Sequence, residues 1–220
     1  MQYKRAEASV TQMILFLSVI CLAGLSNGCA TPRAQGSNPP LRANADATRT
    51  LGMFKPVLAT NYLMAPISSS REAEYSKGSF DNVHNYVFFN KENETAHTLL
   101  ATNDYWIADT KSLPEKDEAG GGQSTVAQWF LFSLVKIDSD GDRKLTYKDH
   151  RTLAISDAGG NGYTEVVTDV EEVYGQTLRE PATLLIFYRS QSKRYVAKID
   201  LVNRKVISIS ELDLQLDDLQ

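Results

Sequence analysis

The sequence predicts a mainly β protein, built of antiparallel meander sheets with an acidic loop inserted between two strands. Three observations carry this expectation. The apolar segments between Leu51 and Gln220 are mostly short, aromatic or β-branched, and separated by polar turns. A pattern of strand, Asp or Asn, polar turn and strand recurs along the chain. The composition, 42% hydrophobic and 23% charged over 220 residues, is that of an ordinary globular chain with room for one domain or two small ones.

At the N-terminus, Lys4 and Arg5 precede an apolar run from Met13 to Leu25 that is broken only by Ser18 and Gly24. A membrane-spanning helix needs roughly 20 apolar residues, so this shorter run suits the core of an export signal. Leu25-Ser26-Asn27-Gly28-Cys29 follows, small residues ending in cysteine. This segment resembles the lipobox of bacterial lipoproteins, although that family usually has Leu, Val or Ile where this chain has Ser26. The resemblance implies a signal peptide over 1–28, cleavage after Gly28, diacylglycerol on the Cys29 thiol and acylation of the new amino terminus. Two or more acyl chains hold a protein firmly to a bilayer. The implied location is therefore the cell envelope, through a lipid anchor. Ala30 stands where an Asp often marks inner-membrane retention, which implies the outer membrane facing the periplasm in a Gram-negative cell. Cys21 would leave with the signal, so the mature chain has no disulfide.

Residues 29–50 read as a disordered tether, because Ala30 to Thr50 holds almost no large apolar side chain and cannot bury enough surface to fold. As a coil it spans on the order of 25 Å. The β domain is expected over 51–220.

Its clearest part is C-terminal: Val170 to Tyr174, Leu184 to Tyr188, Tyr195 to Leu201 and Val206 to Leu212 read as a four-stranded meander. The recurring hairpins are Tyr86–Asn90 with a strand near Thr95, Leu153–Asp157 with Tyr163 to Val167, and Tyr195–Asp200 with a strand from Lys205. They resemble the blade hairpins of TolB-type and related bacterial β-propellers. A closed propeller typically needs at least four blades of about 40 residues, so the expectation is propeller-blade-like sheets without a commitment to closure. Glu115 to Thr125, with Gly120-Gly121-Gly122, reads as a flexible surface loop, since it lacks the Gly-Lys-Ser/Thr of a phosphate-binding loop.

The segment with chemistry in it runs from Asp138 to Asp149. It resembles the twelve-residue EF-hand calcium loop, whose oxygens come from positions 1, 3, 5, 7, 9 and 12. Carried over, the resemblance gives carboxylates from Asp138, Asp140 and Asp142, the Lys144 carbonyl, Thr146 through a water, and Asp149 closing the shell, with Leu145 packing beneath. Two departures weaken the implied Ca2+ site. Arg143 replaces the Gly that adopts a left-handed backbone, a cost on the order of 1 kcal/mol. Asp149 replaces the longer Glu that reaches in with both oxygens. Dissociation constants of about 10⁻⁴ to 10⁻³ M still serve outside the cytoplasm.

The flank before this loop is ambiguous: Val126, Trp129, Phe130, Ser133, Leu134 and Ile137 follow helical spacing, yet the run is dominated by aromatic and β-branched residues. A buried strand is expected over 126–137, with a short helical turn near 147–152. No second EF-hand loop follows, since Asp157 to Thr168 has Gly159 and Thr164 where Asp and an apolar residue belong.

Other functions find little support. The net charge of −4 leaves no basic excess for a nucleic-acid backbone. His84, His97 and His150 lie in no metal-binding spacing, and no nucleophile elbow occurs. Asp104 and Asp109 flank Tyr105-Trp106, the weak basis of a rival reading as an envelope-polymer hydrolase with paired carboxylates. A true EF-hand sensor is the other rival. The leading expectation is a non-enzymatic envelope lipoprotein whose calcium-stabilised β domain binds an envelope protein partner.

Overall fold

The computed structural model describes residues 48–69, 82–114, 126–179 and 182–213. The expected signal peptide, Cys29, most of the tether and the loop at 115–125 lie outside them. The described residues hold thirteen strands and no helix, and their pairings are antiparallel throughout. In chain order they are β1 (Arg49–Leu51), β2 (Lys55–Pro56), β3 (Tyr62–Ser69), β4 (Asn82–Asn90), β5 (Thr95–Thr98), β6 (Trp106–Leu113), β7 (Trp129–Val135), β8 (Arg151–Asp157), β9 (Thr164–Val170), β10 (Glu172–Arg179), β11 (Thr183–Ser190), β12 (Lys193–Asp200) and β13 (Lys205–Glu211). Among the described residues, pairing begins at Arg49, opposite Ser69.

Nine strands share one sheet in the order β1-β3-β4-β6-β7-β8-β9, with β2 added on β3 and β5 on β4. A single bridge, Val83 to Ile107, joins its first part to β6–β9. The other sheet is the C-terminal meander β10-β11-β12-β13. Side-chain alternation in β7 explains how these parts stack. Phe130, Phe132 and Leu134 enter a cluster with Phe88, Ile107 and Leu99, against which Tyr62, Met64 and Tyr86 pack. Leu131 enters a second cluster with Leu153, Ile155, Val167 and, from the C-terminal sheet, Leu184, Ile186, Ala197 and Ile199. The β6–β9 part is thus covered on both faces, which is why β7 reads as a nearly continuous apolar run. A strand buried on two faces has no polar side to show, and its period is hidden.

The three repeated hairpins share one turn device. Asn90 Oδ1 accepts from Glu92 N at 2.9 Å, Asp157 Oδ1 from Gly159 N at 2.9 Å and Asn161 N at 2.8 Å, and Asp200 Oδ1 from Asn203 N at 3.0 Å. Each turn then closes on a left-handed residue: Glu94 at φ 57°, Gly162 at φ 63° and Arg204 at φ 53°. The side-chain oxygen replaces a missing backbone partner, which is the reason Asp or Asn recurs at the strand end. Asn203 holds the Asp200 carboxyl below the usual carboxylate range, through its backbone and its side-chain N–H groups. Between β11 and β12, Gln191 and Ser192 have φ of 50° and 61°, the two-residue turn whose twist matches the flanking strands.

Candidate metal centre

Residues 136–150 connect β7 to β8, two neighbouring strands in register from Trp129 with Asp157 to Val135 with Arg151. No helix flanks the loop on either side: the expected strand is β7, while the expected helical turn near 147–152 is a plain turn at Tyr147 and Lys148, with β8 beginning at Arg151. The β pairing of Arg151 and Thr152 takes their backbone groups and leaves no residues for a helix.

Within the loop, four carboxylates organise the backbone. Asp138 accepts from Gly141 N at 2.7 Å and Arg143 N at 2.8 Å, one bond to each oxygen. Asp140 accepts from Asp142 N at 3.1 Å, and Asp142 from Lys144 N at 2.8 Å. Asp149 is 1% exposed and reaches across the loop, accepting from Ser139 N at 2.7 Å, Asp140 N at 3.3 Å and Thr146 N at 2.7 Å. The Ser139 hydroxyl donates to it as well. Burial pushes the Asp149 carboxyl up, but the N–H groups of Thr146, Ser139 and Asp140 outweigh it and hold the carboxyl below its usual value. Leu145 is buried, at 8% exposed. Gly141 takes φ 79° and Arg143 φ 65°, so the left-handed turn is made with an arginine in place.

The expected ligands separate into two groups. Asp138, Asp140 and Asp149 each bring a carboxylate oxygen within 4.8 Å of the others, an arrangement able to hold a metal ion. Asp142 is not in that group, although its oxygen shapes the loop at Lys144. Thr146 Oγ1 accepts from Lys148 N at 3.2 Å. The donor chemistry is that of hard carboxylate oxygens, which suits a hard divalent cation better than a soft one.

The carboxylates of the hydrolase reading, Asp104 and Asp109, have separate partners. Asp104 is engaged by Arg49 at 3.6 Å and by the Thr102 hydroxyl at 2.7 Å, whereas Asp109 is exposed and accepts from Thr110 N. A serine and histidine pair that the sequence reading missed lies nearby. Ser69 Oγ is 2.7 Å from His84 Nε2, and His84 Nδ1 is 2.7 Å from the Tyr105 carbonyl. A carbonyl can only accept, so Nδ1 carries the proton and Ser69 donates to Nε2. That is the order of nucleophile, base and orienting group. With Ser69 8% exposed and His84 5% exposed, the pair is packed inside and ties β3 and β4 to the segment before β6. Fifteen residues separate the two in sequence, and only the β3–β4 pairing brings them together.

The opposite end of β8 carries a second Asp- and Gly-rich turn, Asp157 to Gly162, with another role. A side chain at Gly159 would meet the Tyr62 ring, one at Gly160 the Phe88 ring, and one at Gly162 the Arg204 guanidinium. Arg204 also lies 3.8 Å from Asp157. This turn is a packing junction rather than a site.

Comparison with protein-family models, curated proteins and solved structures finds no match for the chain.

Proposed function

We propose that the protein is a non-enzymatic cell-envelope lipoprotein, anchored through Cys29, whose β domain is an interaction module stabilised by Ca2+ at the Asp138–Asp149 loop. The observation that carries the calcium half is the convergence of Asp138, Asp140 and Asp149 within 4.8 Å on a loop whose backbone is already turned left-handed at Arg143. Three converging carboxylates repel one another without a cation, and hard oxygen donors favour calcium. Lys144 and Thr146 would complete the shell through a carbonyl and a water, with Asp142 holding the turn. The loop joins two strands of the core instead of two helices, so an ion there stiffens the sheet end and has no helix pair to open. This supports stabilisation over signalling.

The anchor half rests on the sequence around Cys29, and the blade-like reading of the sheets rests on the repeated hairpins and their shared turns. A partner in the envelope fits a domain held at the membrane. Two experiments test the reading. Replacing Cys29→Ser releases the protein from the membrane fraction, and unchanged retention overturns the anchor. Titration calorimetry detects calcium binding in the millimolar range that Asp138→Ala abolishes, and an absence of heat at millimolar calcium overturns the metal site.

A further inference from the structure

Three large apolar side chains stand exposed together where the described chain enters the domain: Leu51 at 55%, Met53 at 78% and Phe54 at 41%. Strands β1 and β2 run along the same side of β3 and form an edge of the nine-stranded sheet. Leu51 pairs with Ile67 and Lys55 with Met64, so Gly52, Met53 and Phe54 face only Ala65 and Pro66. The surplus residue makes a bulge. Gly52 is held down by its N–H on the Pro66 carbonyl at 2.8 Å, with the Pro66 ring where a Cβ would lie, and Met53 is left projecting. Phe54 keeps its ring edge-on to Phe89 at 6.3 Å. An open sheet edge ordinarily recruits another strand through its free backbone groups. This edge is poorly suited to that, because the bulge interrupts it, the Gly52 N–H is already used and Pro56 has none. It offers apolar side chains without a backbone ladder, and a lipid interface takes such side chains without requiring one.

We propose that Leu51, Met53 and Phe54 insert into the interface of the same bilayer that holds Cys29, with the exposed Lys55 beside them reaching the lipid phosphates. The inference rests on the lipid-anchor reading and adds to it a contact made by the folded domain itself. The chain between Cys29 and Arg49 spans on the order of 25 Å as a coil, and the bulged edge is where that chain joins the sheet. A contact too weak to hold a free protein then becomes intramolecular, at an effective concentration of about millimolar. Exposed apolar side chains also occur on β13, at Val206, Ile207 and Ile209, but that strand is far along the chain from the anchor. The net charge of −4 gives the protein no general attraction to anionic headgroups, so apolar insertion carries the contact and salt should change it little. Anchor and edge together would fix which way the domain faces above the membrane.

The test uses the lipidated protein in vesicles of phosphatidylethanolamine and phosphatidylglycerol. With the Cys29 thiol acylated and Cys21 gone with the signal, a cysteine introduced by Met53→Cys is the single free thiol and takes a polarity-sensitive fluorophore. Lipids brominated along their acyl chains should quench this label about threefold more than the same label at Ile207→Cys, since interfacial insertion reaches about 5 to 10 Å into the bilayer. In a chain labelled at Leu51→Cys, Met53→Glu should lower the quenching by about threefold or more while the melting temperature stays unchanged, because the side chain is exposed. Retention on the vesicles without quenching at position 53 overturns the insertion and leaves the anchor standing. Equal quenching at position 207 overturns it as well. So does a label at 53 shielded from aqueous iodide yet not quenched by the lipids, which would give the edge to a protein. Mass spectrometry of Cys29 separates the two readings: a chain without acyl groups that leaves the vesicles overturns both, whereas one still quenched at 53 keeps the insertion and removes the anchor.

Discussion

Strand β8 ends in two loops of similar composition that behave in opposite ways. The loop before it, Asp138 to Asp149, is mostly exposed, and its carboxylates are satisfied by the loop's own backbone. The turn after it, Asp157 to Gly162, is pressed beneath Tyr62, Phe88 and Arg204 from both neighbouring parts of the fold. Asp and Gly therefore answer two different demands. In the first loop they gather oxygens and permit tight turning. In the second, the glycines are there because two aromatic rings and a guanidinium occupy the space a side chain would need.

The sharpest way to break this comparison is a pair of identical substitutions. Gly160 and Gly141 both have φ 79°, so alanine meets the same backbone penalty at each. A Cβ at Gly160 would lie 2.3 Å from the Phe88 ring, however, while at Gly141 nothing lies within 4 Å. Gly160→Ala should cost about 3 kcal/mol, combining overpacking with the left-handed conformation, and Gly141→Ala about 1 kcal/mol. Urea unfolding of the two variants measures the difference, and equal losses would remove the distinction between junction and loop.

Next in size is Asp149→Asn. The amide has one acceptor oxygen for N–H groups that now bond to two, so at least one buried donor loses its partner at a cost of about 2 kcal/mol. The sign of the pH dependence follows from the carboxyl lying below its ordinary value of 3.8 in the folded protein. The ionised form is the one the fold stabilises. Its contribution is full above the unfolded value and is lost as the pH falls through the folded one. Acid titration of stability between about pH 5 and about pH 2 should show this loss in the wild type and a shallower one in Asp149→Asn.

Calcium should sharpen the comparison from the other side. At about ten times its dissociation constant an ion that binds only the folded chain adds roughly 1.4 kcal/mol. The melting temperature should rise with millimolar calcium and fall with chelator, Asp138→Ala should erase the response, and Gly160→Ala should keep it. A response that survives Asp138→Ala would place the ion elsewhere.

The smallest effect is expected at Arg143. Glycine relieves the strain of φ 65° and gives back some of it through a freer unfolded chain, for a net gain of about 0.5 kcal/mol. Calorimetry should also show tighter calcium binding by Arg143→Gly, because the loop no longer opposes its own turn. Weaker binding would mean that Arg143 contributes something other than strain.

Much of this was legible in the residues themselves. Strand positions, the hairpin repeats and the acidic loop follow from local rules: alternation marks a half-buried strand, Asp and Asn mark turns, and spaced carboxylates mark a loop that gathers oxygens. Other features depend on residues far apart in the chain, and no local pattern encodes them. The helical spacing of Val126 to Ile137 is a coincidence of a strand buried on both faces, visible only once the sheets on either side are in place. Asp138, Asp140 and Asp149 converge while Asp142 stays outside the group because Asp149 reaches across the loop to Ser139, Asp140 and Thr146. The β3–β4 pairing explains why Ser69 meets His84, and contacts with Tyr62, Phe88 and Arg204 explain why Gly159, Gly160 and Gly162 are glycines at all. The sequence by itself determined the C-terminal meander, the repeated hairpins and their turns, because those depend on neighbours a few residues away. Only the tertiary structure decided which surfaces are covered, because packing is a property of distant segments brought into contact.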